Sequence, residues 1–590
     1  MPLSMNVMNA AELASTGAAL TSVFHQLFAG KSGSGTGIAP PCVAAMADAD
    51  TNNNTNAEGS RRSMIHYGDA GEIKTVRALT SALRVLQIGA IAVVLVAATF
   101  NAFELDRFFV PKELVLHVAA VLAGLLAFGA ISRLTLTRVD LLLLCFLLLS
   151  ALSAALATNR WLALRALTIG ASGLVIFWVA RALREAGLSR PLLGVLALAV
   201  VIAAVTSLLQ TYGLEIPIFS ETRVPGGTLG NRNFIAHVAA FGFPLILLAA
   251  FTRRLFPSLV GVAIVTGTLA LTRSRGAWLA FAVVALIYVV AILFSSSLRR
   301  DGRTWRRAPA IIISACLGVA AALLIPNTLR WRSDNPYLES VQRMADYQRG
   351  SGRGRLVQYA QSLRMSAHHA LLGVGPGNWA VDYPAHALPH DPSMSESEPG
   401  MTLNPWPSSD WIAFIAERGV PAALLLALVF VFIAFDAVRQ LVRSADAEAG
   451  WLGATLLATV AGAIVAGLFD AVLLLAVPAF LVWAAIGALW IPVSVSVRLV
   501  RRWMAFAVIV FAIIGAARSA MQLIALDIYA TQSNRATLVS AARIDPGNYR
   551  LQLRLGRSGS RRDRCAHARA AHALFPSAAA AAEASRGCGE

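Results

Sequence analysis

Charge is scarce in this chain: Asp, Glu, Lys and Arg together make up 14% of its 590 residues, while 57% are apolar. That balance excludes a disordered chain or an ordinary soluble domain as a description of the whole. Cysteine is scarcer still, five in all, which leaves too few for a disulfide-stapled scaffold. Other signatures are missing as well. The Gly-rich "GVGPGN" lacks the Lys and Ser/Thr of a nucleotide-binding P-loop. The scattered His and acidic residues lack metal-ligand spacing, and His368 and His369 point to different faces of a helix. The first residues lack the basic, apolar and cleavage segments of a signal peptide in that order. Nothing has the pattern of a DNA- or RNA-binding module, so the net charge of +18 calls for no nucleic-acid partner.

What is present is hydrocarbon-length apolar sequence. Windows of bilayer dimension recur along nearly the whole chain and predict an all-α, polytopic transmembrane bundle of about thirteen spans. The expected organisation is a cytoplasmic N-terminal region over 1–78, disordered or an over-long start with Met64 as an alternative initiator, then nine spans over 79–326. A large polar loop over 327–409, four more spans over 410–527 and a short helical tail over 528–590 follow. Alternate short loops are rich in arginine, from Arg133 and Arg138 through Arg181, Arg253, Arg299 and Arg307 to Arg498, Arg501 and Arg502. Those loops are expected in the cytoplasm, which puts the N-terminus inside and the large loop and C-terminus outside. Cys145 and Cys316 fall inside spans, whereas Cys565 and Cys588 share the external tail and could form a disulfide. The tail segment "SAARIDPGNYRLQLRLG" resembles one unit of a tetratricopeptide-type helical repeat, which cannot bury its own face and so packs on the membrane domain or binds a partner.

The outer loops hold fewer arginines, but those they hold are concentrated. Arg273 and Arg275 sit in "LTRSRGAWLAF" and Arg232 in "GGTLGNRNFIAHV", each within a turn of a span. Charge so close to hydrocarbon is costly unless paired, hydrated or functional. A guanidinium matches phosphate oxygens bidentately, and glycine-flanked backbone lets a large anion approach. These loops therefore suggest a site for a phosphorylated ligand, with interfacial snorkelling to lipid phosphates as the alternative. The polar loop adds Arg353, Arg355 and Arg364, then His386, His390 and an acidic stretch. Arg165, one turn inside the fourth span, and Asp470, between two late spans, mark a polar cavity or lie at an interface. Trp406 between Pro405 and Pro407 makes a stiff loop that could stack on a sugar ring or simply pack.

In order, "FELDRFFVPKELVL", "GTLGNRNFIAHV", "LTRSRGAWLA", "GRLVQYAQSLRM" with "HALLGVGPGNW", and "DWIAFIAERGVPAALLLAL" resemble the bacterial O-antigen ligase and polymerase superfamily over about residues 85–489. The resemblance implies an inverting, metal-independent glycosyltransferase of the inner membrane with no cofactor. Its donor would be an undecaprenyl-diphosphate-linked glycan. Its acceptor would be lipid A core, a lipid-linked repeat unit or a protein hydroxyl. By the same resemblance Arg275 and Arg355 are diphosphate contacts, with Arg232 and Arg273 beside them, and Asn231 and Asn233 match a Gly-Asn-x-Asn pattern that is also a helix cap. The chain departs from the family where His-Asn precedes the Glu-x-Gly helix: aligned on Glu417 and Gly419, it has Ser408 and Ser409. That leaves Asp410 as a base or as a helix N-terminal carboxylate, with His390 or His386 able to reach in from the loop and Glu417 either catalytic or a helix-pairing group. A lipid-linked saccharide transporter and a non-catalytic assembly protein stand as alternatives. Internal hydropathy repeats, the mark of many transporters, are not evident.

Overall fold

The computed structural model describes residues 58–100, 105–131, 133–343, 350–492, 498–501 and 503–588. Residues 1–57, with Cys42 and the Asn-rich run at 51–56, lie outside the described residues. Among those described, 12 helices are long and apolar enough to cross a membrane. They are α1 (Glu58–Leu95, apolar from Ile73), α2 (Asp106–Ala130), α3 (Arg138–Leu156), α4 (Arg160–Glu185), α5 (Ser189–Thr211), α6 (Arg232–Thr252), α7 (Leu255–Thr272), α8 (Arg275–Phe294), α9 (Gly302–Leu324), α12 (Asp410–Arg443), α13 (Ala447–Gly467) and α15 (Trp503–Thr531). Between α9 and α12 the polar insert forms α10 (Pro336–Gln342) and α11 (Gly350–His368).

The thirteenth apolar window is occupied by α14 (Ala476–Leu489), only 14 residues long and buried along its whole length. At 1.5 Å per residue it is shorter than the hydrocarbon core, but its neighbours, α4 foremost, rather than lipid, surround it. With the 12 long helices counted as spans, the strand that follows α14 makes it a further crossing. β1 (Arg133–Leu136), between α2 and α3, pairs antiparallel with β2 (Arg498–Arg501), between α14 and α15. Counting spans from β1, the two loops fall on one face only if α14 crosses. This ribbon was not expected from a chain read as wholly helical.

The expected boundary at residues 78 and 79 falls inside α1, and the first span begins earlier than hydropathy alone places it. Leu79, Leu83 and Leu86 are buried at helical spacing, while Lys74, Arg77 and Arg84 occupy the exposed side, so the mean hydropathy of this turn is low although one face packs. On the ribbon face, Thr137 and Asp140 form a reciprocal cap at the start of α3. Asp140 is fully buried and accepts from Trp178 Nε1 at 2.8 Å and from Arg181 at 2.7 and 2.9 Å, which ties α3 to α4.

Beyond α15 the tail folds as four short helices, α16 (Arg535–Ile544), α17 (Tyr549–Leu555), α18 (Arg561–Leu574) and α19 (Ala579–Arg586). Cys565 and Cys588 are joined in a disulfide. The tail docks on the membrane domain and the insert: Ala579 N–H donates to the Pro399 carbonyl at 3.0 Å, and Arg550 pairs with Glu398 at 2.9 Å.

Candidate functional site

Three helix starts converge on the insert face. At α6, Asn231 has extended backbone and its side chain accepts from Asn233 N–H at 3.0 Å, so the cap reading of this residue is met and Arg232 becomes the first helical residue. At α8, Arg275 holds the same position. Arg273, between α7 and α8, adopts a left-handed φ of 53°, a conformation uncommon outside glycine and recurrent at ligand sites. The third start is α12, which follows Ser408 and Ser409.

The insert brings an aromatic ring to these arginines. The guanidinium carbons of Arg232 and Arg273 lie 5.0 and 4.8 Å from the ring centre of Trp331. Arg273 Nε donates to Ser340 Oγ at 2.9 Å and its guanidinium lies 3.6 Å from Glu339, which also pairs with Arg343. Arg275 donates to the Arg343 carbonyl. The short helix α10 is thus fastened to the α7–α8 turn by both arginines of "TRSRG". Arg223 lies within electrostatic reach of Arg232 as well, so like charge is concentrated here. Arg355, half-buried on α11, and Asp470 both lie within electrostatic reach of His237, one turn into α6.

Asp410 is fully buried, and its two oxygens accept the Val472 and Leu473 N–H groups at 2.9 and 2.8 Å. Ser409 Oγ donates to the Gly467 carbonyl at 3.0 Å, and the Ser408 carbonyl accepts from Tyr359 O–H at 2.6 Å. Asp410 and Ser409 therefore anchor the irregular stretch between α13 and α14. The carboxylate of that stretch that stands half-buried is Asp470, which accepts from Asn233 Nδ2 at 3.2 Å. Sequence reading took Asp470 only as a cavity or interface marker, because its partner lies 237 residues away.

Glu417 and His390 are placed elsewhere. Glu417 is buried two turns into α12, beside the non-helical Gly419 at φ 82°. "GVGPGN" lies against it: Val374 and Gly375 N–H donate to the Ala416 and Glu417 carbonyls at 3.0 and 2.9 Å, and the Gly377 and Trp379 N–H groups face its carboxylate. The glycine-rich segment is a turn that clamps α12. His390 is exposed, with left-handed backbone at φ 61°. His386 stacks on His368 with ring centres 6.1 Å apart, and burial, then His368 and His369, hold its imidazole below the usual range. Among the described residues no three His, Cys, Asp or Glu side chains are grouped to hold a metal ion.

Asp382, in the insert, has one carboxylate oxygen buried with no hydrogen-bond partner. Burial pushes its carboxyl up to about 6 from 3.8, against the opposing pull of His369 and the Thr158 hydroxyl. The folded protein therefore keeps a proton that the unfolded chain releases, so this group's contribution to stability falls as pH rises from about 4 to about 6 and stays low above. Thermal unfolding at about pH 4 and about pH 7 is expected to show that decline in the wild type and to lose it in Asp382→Asn. An unchanged pH slope in the variant would reassign it to another group.

Beside the arginine cluster lies a chamber of about 470 Å³ between α2, α4, α15, the insert and the tail. Arg165 grips Glu113 through Nε and NH2 at 2.7 to 2.9 Å and approaches Asp106 at 3.5 Å. Arg518 donates to Gln522 at 2.8 Å and to the Trp161 carbonyl at 3.1 Å, and Trp161 Nε1 donates to Asp545 at 2.5 Å. Burial leads the causes that raise the Asp545 carboxyl, with Arg518 pulling the other way. Of this network only Arg165 carried a signal in the sequence, as a charge inside an apolar window.

The O-antigen ligase family matches residues 260–427. The match contains Arg273, Arg275, Trp331, Arg355, Asp410 and Glu417, and leaves Asn231 to Asn233 and Asp470 outside it. No curated protein matches the chain.

Proposed function

Residues 260–427 carry the sequence of the O-antigen ligase family, and from that premise we propose that the protein transfers a glycan from an undecaprenyl-diphosphate donor to an acceptor hydroxyl. The reaction is inverting and metal-independent, and it runs at the periplasmic face of a bacterial inner membrane. The observation that carries this reading is the pair of guanidinium groups on Trp331, with Arg275 on the adjoining turn. Arg232, Arg273 and Arg275 would meet the oxygens of a membrane-bound diphosphate, and by the family resemblance Arg355 would join them. Charge grows on the bridging oxygen as the glycosidic bond to phosphate breaks, and preorganised donors lower that barrier.

In the proposed step the acceptor oxygen bonds to the anomeric carbon from the face opposite the phosphate, which inverts the centre. The carbon–oxygen bond to diphosphate breaks with its electron pair, and polyprenyl diphosphate departs. The hydroxyl proton passes to a carboxylate. Asp470 suits that role better than Asp410, because it stands half-buried, accepting from Asn233 Nδ2 and the Ala471 N–H, whereas Asp410 is fully buried with its oxygens on the Val472 and Leu473 N–H groups. Ser408 and Ser409 support the turn rather than replace a histidine in its chemistry, and Glu417 and His390 are secondary candidates. A polymerase joining repeat units and a protein O-glycosyltransferase are variants with the same donor chemistry.

The test is transfer by protein in nanodiscs with EDTA present, from a purified polyprenyl-diphosphate saccharide to lipid A core, lipid-linked repeat unit and protein offered in parallel. Release of polyprenyl diphosphate with consumption of one acceptor is expected, and the acceptor consumed names the branch. Donor binding without turnover on any acceptor would replace this reading with lipid-linked saccharide transport or a non-catalytic assembly role.

A further inference from the structure

We infer that the chamber roofed by the C-terminal tail is a saccharide-binding site, distinct from the arginine cluster and continuous with it. The inference rests on the reading above for the nature of its ligand, and on the chamber itself for its existence.

Size and lining chemistry come first. At about 470 Å³ the chamber falls in the range of pockets that enclose small ligands. Most of its charges are paired within its own wall, Arg165 with Glu113 and Asp106, Arg550 with Glu398 and Arg518 near Asp545, while Glu417 pairs with Arg418 behind the wall and Arg223 reaches Asn404. A site built for phosphate gathers positive charge in excess of negative, as the arginines around Trp331 do with Glu339 among them. Paired carboxylates and guanidinium groups instead offer many fixed donors and acceptors with little net charge, which suits a neutral polyhydroxylated ligand. Aromatic rings of Trp161, Trp406 and Tyr549 line the same space, and a ring face packs against the C–H face of a sugar.

Continuity with the arginine cluster is the second observation. Phe109 and Trp406 belong to the chamber wall, and their rings meet edge to face at 5.1 Å. Both contact Phe234, at 5.4 and 6.3 Å, and Phe234 directly follows the Asn231 to Asn233 cap. Arg223 lines the chamber, while its carbonyl accepts from Arg232 N–H at 3.1 Å. A glycan attached to, or approaching, a diphosphate on Arg232 and Arg273 would have this chamber as its neighbour.

The third observation is the roof. Asp545, Asn548, Tyr549, Arg550 and Phe575 all come from the tail. The tail is pinned on two sides, to α4 through the Asp545 and Trp161 bond and to the insert through Arg550 with Glu398. The repeat-like unit is thereby committed to enclosing this space.

The experiment needs neither turnover nor a lipid diphosphate. Two probes are prepared by mild acid from the producing cell, the glycans released from its polyprenyl-linked pool and those released from its lipid A core fraction. Each is titrated onto the full-length protein in nanodiscs by saturation-transfer NMR. Saturable binding of at least one probe is expected, and the probe bound distinguishes a donor-side from an acceptor-side sugar. Trp406→Leu and Tyr549→Leu are expected to weaken it about tenfold. Because those rings are packed, Leu403→Arg at the exposed rim provides a variant that narrows the chamber without removing a buried ring, and the same loss is expected. Absence of binding by both probes, or binding undiminished in all three variants, would overturn the inference. Saccharide binding in a protein that fails the transfer assay would overturn the enzymatic reading alone, and transfer insensitive to all three variants would overturn the chamber alone.

Discussion

Arg273→Ala is expected to lower glycan transfer by about 10²- to 10³-fold, the usual consequence of removing one preorganised donor from a developing oxyanion. Three features single out this residue among the four arginines. Its backbone is held left-handed at φ 53°, its guanidinium faces Trp331 at 4.8 Å, and Ser340 and Glu339 fix its orientation. Position and charge are therefore both determined before a ligand arrives. Arg273→Lys keeps the charge but loses the planar fork and the stack, so it is expected to recover only part of the rate. The measurement is kcat and donor Kd in parallel. A variant with unchanged kcat, or one in which only protein yield falls, would assign Arg273 to holding α10 in place and leave the leaving group to Arg232, Arg275 or Arg355.

Arg181→Leu is expected to cost about 3 to 5 kcal/mol of stability, because it leaves the buried Asp140 carboxylate without its guanidinium. This pair lies on the ribbon face, at the opposite end of the spans from the arginine cluster, so the transfer rate per folded molecule should not change. The double variant Asp140→Asn with Arg181→Leu removes the charge as well and is expected to regain much of the loss, since no buried charge is left unpaired and the amide oxygen still accepts from either Trp178 or the Thr137 N–H. Thermal unfolding of the three proteins decides it. A double variant no better than Arg181→Leu would show that packing of the arginine stem, and not the buried charge, is what the single change removes.

The spans were legible because hydrocarbon thickness acts on every residue in a window, and each of the apolar windows coincides with a helix. Where one face packs on protein the rule weakens. The early start of α1 came from Leu79, Leu83 and Leu86 set among charges, and the shortness of α14 came from an irregular approach held by Asp410. The arginines of the site were legible for the converse reason: a charge beside a span has few ways to be stable, so Arg232, Arg273 and Arg275 stood out without any partner in view. Their partners could not be read. Trp331 has no local pattern to distinguish it, and the choice between Asp410 and Asp470 turns on which carboxylate the fold leaves half-buried and which it seals in. Glu113 and Arg165 lie 52 residues apart and Trp161 and Asp545 lie 384 apart, so a network assembled from both ends of the chain left only isolated charges in the sequence.

The ribbon of β1 and β2 joins the loop after the second span to the loop before the last. It brings together the two ends of the chamber's construction, since α2 supplies Asp106 and Glu113 while α15 supplies Arg518 and leads into Asp545. Until α15 has been made, Glu113 and Arg165 have neither Arg518 nor the roof beside them. Synthesis therefore has an order written into it: the arginine cluster can form when α13 and its following turn are in the membrane, and the enclosed space next to it exists only once α15 and the tail helices have followed.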